Sequence, residues 1–367
     1  MRTLATCGFI SIVLLVGLFD SEGFARRTYL DQEQKAQLEA IQTIMIHVLA
    51  LTERGKVDGT VIENVVRQRL EELGYTVVTN RDDPFDVRVN VKCEEVKKWS
   101  GTTRGGGDAD HSGAPSRLWK GPACLFSYQL DGRDLGWYKE ARTSFEDSGE
   151  AAKVAHAPQS GLYAIQQLAE RIQEFDFPVM LAAEWGHEAR LFKLLNNPQT
   201  PNKRKLRILS LLPQVESHDT LPLLKELIQD PELTEEAIVA LSSTGSEGIP
   251  LLTDIFQTQK DSKIRAAAAK GLGEIGAHTG DPSVTPPMLD YVVENLPHLK
   301  SSSDIDFPVL TEVVWSLGKL RNEKSIAPIN ELQSKIWVIF DNSKEMAELR
   351  EATSWTYKQI DMDWQVQ

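Results

Sequence analysis

The chain predicts two folds in series: an α+β domain built on a small antiparallel sheet with helices, then an all-α solenoid of stacked two-helix layers. Three observations carry this reading. Between Asp31 and about Phe177 apolar residues alternate at the strand period, most strictly at Val87, Val89, Val91 and Cys93, with Arg88, Asn90, Lys92 and Glu94 on the other face. From about Glu188 to Met362 the texture becomes leucine-rich and the period becomes helical. In that half, pairs of short amphipathic helices recur, closed by Gly or Pro, and no such pair buries its apolar face without a neighbour. The expected boundaries are 1–25 for a signal peptide, 26–177 for the sheet domain, 178–362 for the solenoid and 363–367 for a tail.

Arg2 precedes an uncharged, mostly apolar run from Phe9 to Phe19, and Gly23-Phe24-Ala25 supplies the small residues of a cleavage site. Cleavage is expected after Ala25. The run is shorter than the roughly 20 helical residues that cross a hydrocarbon core, and no second span follows. Cys7 lies before the apolar run, unlike a lipidated cysteine, and Arg26-Arg27 lies after it, unlike a twin-arginine signal. The reading is therefore export, to the periplasm or beyond, with no transmembrane span left after cleavage. The net charge is −13, and cleavage removes only Arg2, Asp20 and Glu22, so the exported chain stays acidic. Nucleic acid is excluded as a partner, because binding it needs a basic stripe.

In the sheet domain the first strand is expected over Ile44 to Thr52, although Leu38, Ile41, Met45 and Val48 also fit a continuing helix. Asp58 then caps a helix that runs to Leu73, with Ile62, Val65, Val66, Arg69 and Leu70 in helical spacing, and Gly74 ends it. Strands follow at Tyr75 to Thr79 and Asp86 to Val96, joined by a turn at Asn80 to Pro84. Ala123 to Leu130 and Gly136 to Phe145 read as a hairpin about Asp131-Gly132-Arg133-Asp134, and a helix is expected from Glu150 to Gln173. Between the strands, residues 97–122 are expected to form a flexible loop, because the Gly-rich run from Gly101 to His111 cannot build a core. This domain carries no family motif. Small domains of its kind serve as docking or assembly modules in envelope proteins, an analogy at fold level only.

The helical half opens with a helix from Met180 to Leu195, expected to cap the solenoid by burying Trp185 or Phe192 against the sheet domain. Leu241, Leu272 and Leu317 then occupy one slot of successive second helices, at spacings of 31 and 45 residues. The longer interval holds an insertion around the helix of Pro287 to Asn295. First helices echo one another in Leu221-Pro222-Leu223-Leu224, Ile249-Pro250-Leu251-Leu252 and Ile326-Ala327-Pro328-Ile329. Proline is tolerated in the first turn because the N–H there has no intrahelical partner. Ile264, Ala268, Leu272 and Ile275 form a single stripe, and the small residues Ala266 to Ala269 let neighbouring helices approach closely.

This pattern resembles HEAT repeats, including the phycobilisome-lyase-like variant, most closely in the Ala-rich helix ending Leu272-Gly273-Glu274-Ile275-Gly276. The resemblance covers about half the chain, and the units before Asp219 and after Asp306 depart from it, which leaves four to five repeats. It implies a HEAT-like scaffold that displays a concave surface to a protein or peptide partner. The alternative is a non-repetitive α-bundle.

After cleavage the cysteines are Cys93 and Cys124, both on the apolar faces of their strands. In an oxidising compartment they can pair as a disulfide; the alternative is two buried free thiols packed as small hydrophobes. In the loop, Trp99, Arg104, Arg117, Trp119 and Lys120, with Lys97 and Lys98, make a basic, aromatic-flanked rim suited to an anionic or sugar-containing ligand. Solvated flexibility is the competing reading. Asp108, Asp110 and His111 lack the length and closing Glu of a calcium-binding loop, so no metal or cofactor is assigned.

Catalytic motifs are missing: the chain has no Gly-x-Ser-x-Gly elbow, no His-Glu-x-x-His and no Walker loop. Gly186-His187-Glu188 is read as surface capping, and Glu94-Glu95 and Asp147-Glu150 as solvated charges. The expectation is an exported, non-catalytic binding or scaffold protein that grips a protein or peptide partner in the cell envelope. The alternative is an enzyme or enzyme subunit, such as a carbohydrate-active hydrolase, with its site in the 99–121 loop.

Overall fold

The computed structural model describes residues 30–80, 82–102, 116–215 and 220–364. The expected signal peptide therefore lies outside the described residues, as does Arg104.

Six strands build one sheet: β1 (Thr43–Thr52), β2 (Gly55–Val57), β3 (Thr76–Val78), β4 (Val87–Thr102), β5 (Ser116–Leu130) and β6 (Arg133–Arg142). The order is β2-β1-β4-β5-β6, and β3 pairs with β1 beside β2. The sheet is mixed, not purely antiparallel as the sequence suggested, because β1 runs parallel to both β3 and β4. The reason is topological. Helix α1 (Gln32–Glu39) leads into β1; between β1 and β4 the chain passes through α2 (Thr60–Glu71), and a helical crossover returns a strand in the same direction. The β5–β6 hairpin closes on Asp131 and Gly132, whose φ values of 50° and 74° give the primed two-residue turn that matches strand twist.

One face of the sheet is apolar, as the alternation predicts. Val87, Val89, Val91, Cys93, Cys124, Phe126 and Tyr128 are buried, while Arg88, Asn90 and Lys92 are not. Each such large side chain contributes about 1.5–3 kcal/mol by leaving water. Helices α2 and α4 (Ser160–Glu174) cover this face, with Leu168 and Ile172 fully buried. The single helix expected from Glu150 to Gln173 is two, α3 (Ser148–Val154) and α4. The break falls at His156, with φ 55°, and at Pro158, whose ring leaves no N–H for a continuing ladder.

Of the expected loop at 97–122, the described residues, 97–102 and 116–122, are strand, and the rest lies outside the described residues. β4 and β5 stay paired out to Thr102 opposite Ser116, past a bulge between Glu94 and Lys97. Few apolar residues mark this arm, so periodicity could not find it. Cys93 and Cys124 sit opposite each other in this ladder and are joined by a disulfide, with Cα atoms 3.9 Å apart.

The helix expected from Met180 to Leu195 is also divided, into α5 (Phe177–Glu184) and α6 (Glu188–Asn196), at Gly186 with φ 72°. Five two-helix layers then follow. They pair α6 with α7 (Asn202–Leu209), α8 (Leu221–Leu227) with α9 (Thr234–Ala240), α10 (Ile249–Thr258) with α11 (Ser262–Thr279), α12 (Thr285–Asn295) with α13 (Phe307–Leu320), and α14 (Ile326–Val338) with α15 (Lys344–Trp364). The second helices stack in the order α7, α9, α11, α13, α15. Leu241, Leu272 and Leu317, placed in one slot by their spacing, are all fully buried.

A repeated device holds this stack together. Ser316 Oγ on α13 donates to the Ala269 carbonyl on α11 at 3.0 Å, and Thr356 Oγ1 on α15 donates to the Val314 carbonyl on α13 at 2.7 Å. In each case a glycine four residues beyond the carbonyl faces the same hydroxyl residue. A Cβ at Gly273 would lie 2.4 Å from Ser316 Oγ, and one at Gly318 would lie 2.6 Å from Thr356 Oγ1. The second helices approach closely enough to hydrogen-bond because these positions carry no side chain.

Candidate functional site

The stacked second helices leave one face open as a groove of about 650 Å³. Its central wall is α11, which presents Lys263, Ala266, Ala267, Lys270, Glu274 and His278 along a single helical stripe. The opposite stripe of the same helix, Ala268, Leu272 and Ile275, is fully buried in the stack. Asp261 begins the helix by accepting the N–H groups of Lys263 and Ile264, which fixes the register of both stripes. Glu235, Glu236 and Val239 come from α9, and Pro308 and Glu312 from α13. The floor is therefore small and apolar and the walls are charged.

Two carboxylates of this groove differ in surroundings. Glu274 Oε1 lies 2.7 Å from Lys319 Nζ, a pair that bridges α11 and α13. Glu312 is half-buried and forms no hydrogen bond or close ion pair among the described residues. Burial pushes its carboxyl above the usual range, against the opposing pull of the Lys319 and Lys270 ammonium groups.

Where the helical half meets the sheet, polar side chains are buried together. Trp185 is 1% exposed, edge-on to Tyr75 and Tyr128, so it does seal the first open end of the solenoid, while Phe192 is only partly buried there. His187 is not a surface cap but 7% exposed. Its Nε2 lies 2.9 Å from the Leu38 carbonyl and 3.1 Å from that of Glu39, which only accept, so Nε2 carries the proton. Nδ1 then accepts from the Tyr75 hydroxyl at 2.6 Å. Burial holds the His187 pKa below its ordinary value. Arg190 lies over the Tyr75 ring at 4.2 Å and donates to the Leu73 carbonyl at 2.7 Å. Nearby, Arg69 pairs with Glu72 and Asp176, both at 2.5 Å, and Arg204 approaches the same two carboxylates at 3.3 and 3.1 Å. These contacts bind α2, the start of α5 and α7 into one joint.

Glu95, read as a solvated charge, is 4% exposed. Its carboxylate accepts from Ser148 Oγ at 2.8 Å, Ser160 Oγ at 3.2 Å and the Glu53 N–H at 2.9 Å. Period-2 alternation places Glu95 on the same buried face as Val91 and Cys93, just where the register shifts between Glu94 and Lys97.

Of the residues expected to bind a ligand, Trp99 stands opposite Trp119 in the β4–β5 register, Lys120 opposite Lys98, and Arg117 opposite Gly101. The ladder thus gathers four of the five on one hairpin arm. Groove residues were not singled out from the sequence, although the hydrophilic stripe of α11 at i, i+7, i+11 and i+15 was there to be read beside its apolar one.

Comparison with known proteins finds the family of HEAT repeats matching residues 188–273, from the start of α6 into α11. HEAT repeats are thus matched within the C-terminal half, and the two-helix layers continue beyond the matched residues. The match includes units before Asp219, where the sequence pattern had departed from the family. No curated protein matches the chain. Among the described residues, no helix is long and apolar enough to cross a membrane.

Proposed function

We propose that this is an exported, non-catalytic scaffold protein of the cell envelope that binds a segment of a protein or peptide in the groove of its second helices. The observation that carries this reading is the groove itself: an apolar floor of Val239, Ala266 and Ala267 between charged walls, on the face that the layer stack leaves open. HEAT repeats typically mediate protein interactions, and the matched residues include all three residues of that floor. A continuous row of helices suits a linear segment better than a compact ligand. The Cys93–Cys124 bridge supports export, since disulfides persist in oxidising compartments.

Ala266 is half-buried on the groove floor, so Ala266→Trp fills the groove without disturbing the buried stripe. Purified protein with this change is expected to keep its melting temperature within a few degrees and to lose its partner from native envelope extract. Retention of the same partner by the filled groove would defeat the reading.

A further inference from the structure

We propose that the groove selects a segment carrying a lysine or arginine and seats that cation on Glu312. The inference rests on the groove being the binding face and names the chemistry of what it binds. Glu274 is already satisfied by Lys319, whereas Glu312, on the same side, has no such partner among the described residues. A carboxylate half removed from water and reached by Lys319 and Lys270 only through longer-range attraction carries a cost that a cation in direct contact removes. Burial raising the Glu312 pKa agrees with this.

Charge on the rest of the groove points the same way. Glu235 and Glu236 stand on the α9 wall. The lysines of the lining, Lys263 and Lys270, are exposed on long flexible stems and can turn to solvent. Between these walls, Val239 and Ala267 leave room for small apolar neighbours of the cation. A second copy of this chain, at −13, is a poor electrostatic match for the site.

The test is a positional-scanning decapeptide library probed with the full chain, with Glu312→Gln and with Ala266→Trp, each checked by thermal melting. The unmodified chain should prefer Lys or Arg over Glu at one position by about tenfold, the value of one charge-assisted contact. Glu312→Gln should reduce that preference to about twofold and leave preferences at other positions unchanged. In the unmodified chain the preference should also fade as pH drops through the Glu312 titration, which gives a readout that needs no variant. Binding abolished by Ala266→Trp, but with no cation preference or with one that Glu312→Gln leaves intact, overturns this inference and spares the groove reading. Peptides bound equally by Ala266→Trp, or by none of the proteins, overturn both.

Discussion

His187 shows how one residue joins the two halves of the molecule. It begins α6, yet both of its ring nitrogens are used by the sheet domain, one on the Leu38 carbonyl and the other on the Tyr75 hydroxyl. A neutral imidazole satisfies this arrangement, whereas protonation puts an N–H on Nδ1 where it had accepted from the Tyr75 hydroxyl, a phenol that burial keeps protonated. The folded pKa is depressed below the unfolded value of about 6.5, so the unfolded chain binds more protons between the two. Stability from this site is complete above pH 6.5 and is lost as pH falls towards the folded pKa. Urea melts should show that loss, and His187→Gln should lack this part of the slope. Tyr75→Phe should cost about 1–3 kcal/mol at neutral pH, because Nδ1 is then buried without a donor. A Tyr75→Phe protein as stable as the parent would remove the joint from the account. Sequence offered His187 only as a His next to a Glu, since its partners are far away in the chain. Glu95, two residues after Cys93, stood on the face that alternation marks as buried, but the groups that satisfy it, the Glu53 N–H and the Ser148 and Ser160 hydroxyls, are far away in the chain.

At the scale of elements, the strongest statement is the paired register of Cys93 and Cys124. Alternation placed both cysteines on apolar strand faces, and the ladder sets them opposite each other and bridges them. The bridge closes a span of 31 residues, worth about 3–4 kcal/mol in the chain-entropy model. Intact-mass measurement of exported protein should show residues 1–25 missing and two hydrogens fewer than the fully reduced chain. Reduction should then lower stability by that amount; two free thiols in the native protein would contradict it. Other elements were legible in part. Period-2 alternation located β4, and the Asp-Gly pair located the β5–β6 turn. The parallel partnership of β1 and β4 was not legible, because strand order depends on where a crossover packs and not on any local pattern. Pro158 and Gly186 did mark the two helix breaks, but long apolar periodicity on both sides masked them. In the stack, the Gly273–Ser316 and Gly318–Thr356 contacts explain a repeat that residue identity only hinted at. Ser316 occupies the slot of Gly271, so the motif is carried by size and not by letter.

For the whole molecule, the layered half was readable because every layer solves the same burial problem, and the equivalent leucines report it. The groove was less readable, since an open face is defined by what the stack fails to cover. The same geometry explains why binding is assigned to that face. First helices and the sheet cover the apolar side, and the α9–α11–α13 row is left with small residues between charges. A photoreactive phenylalanine analogue at Val239, on the groove floor, compared with one at the exposed Val293 of α12, tests this most directly. A polypeptide should crosslink from Val239 in intact cells and none from Val293. Crosslinks from Val293 alone, or equally from both positions, would contradict it.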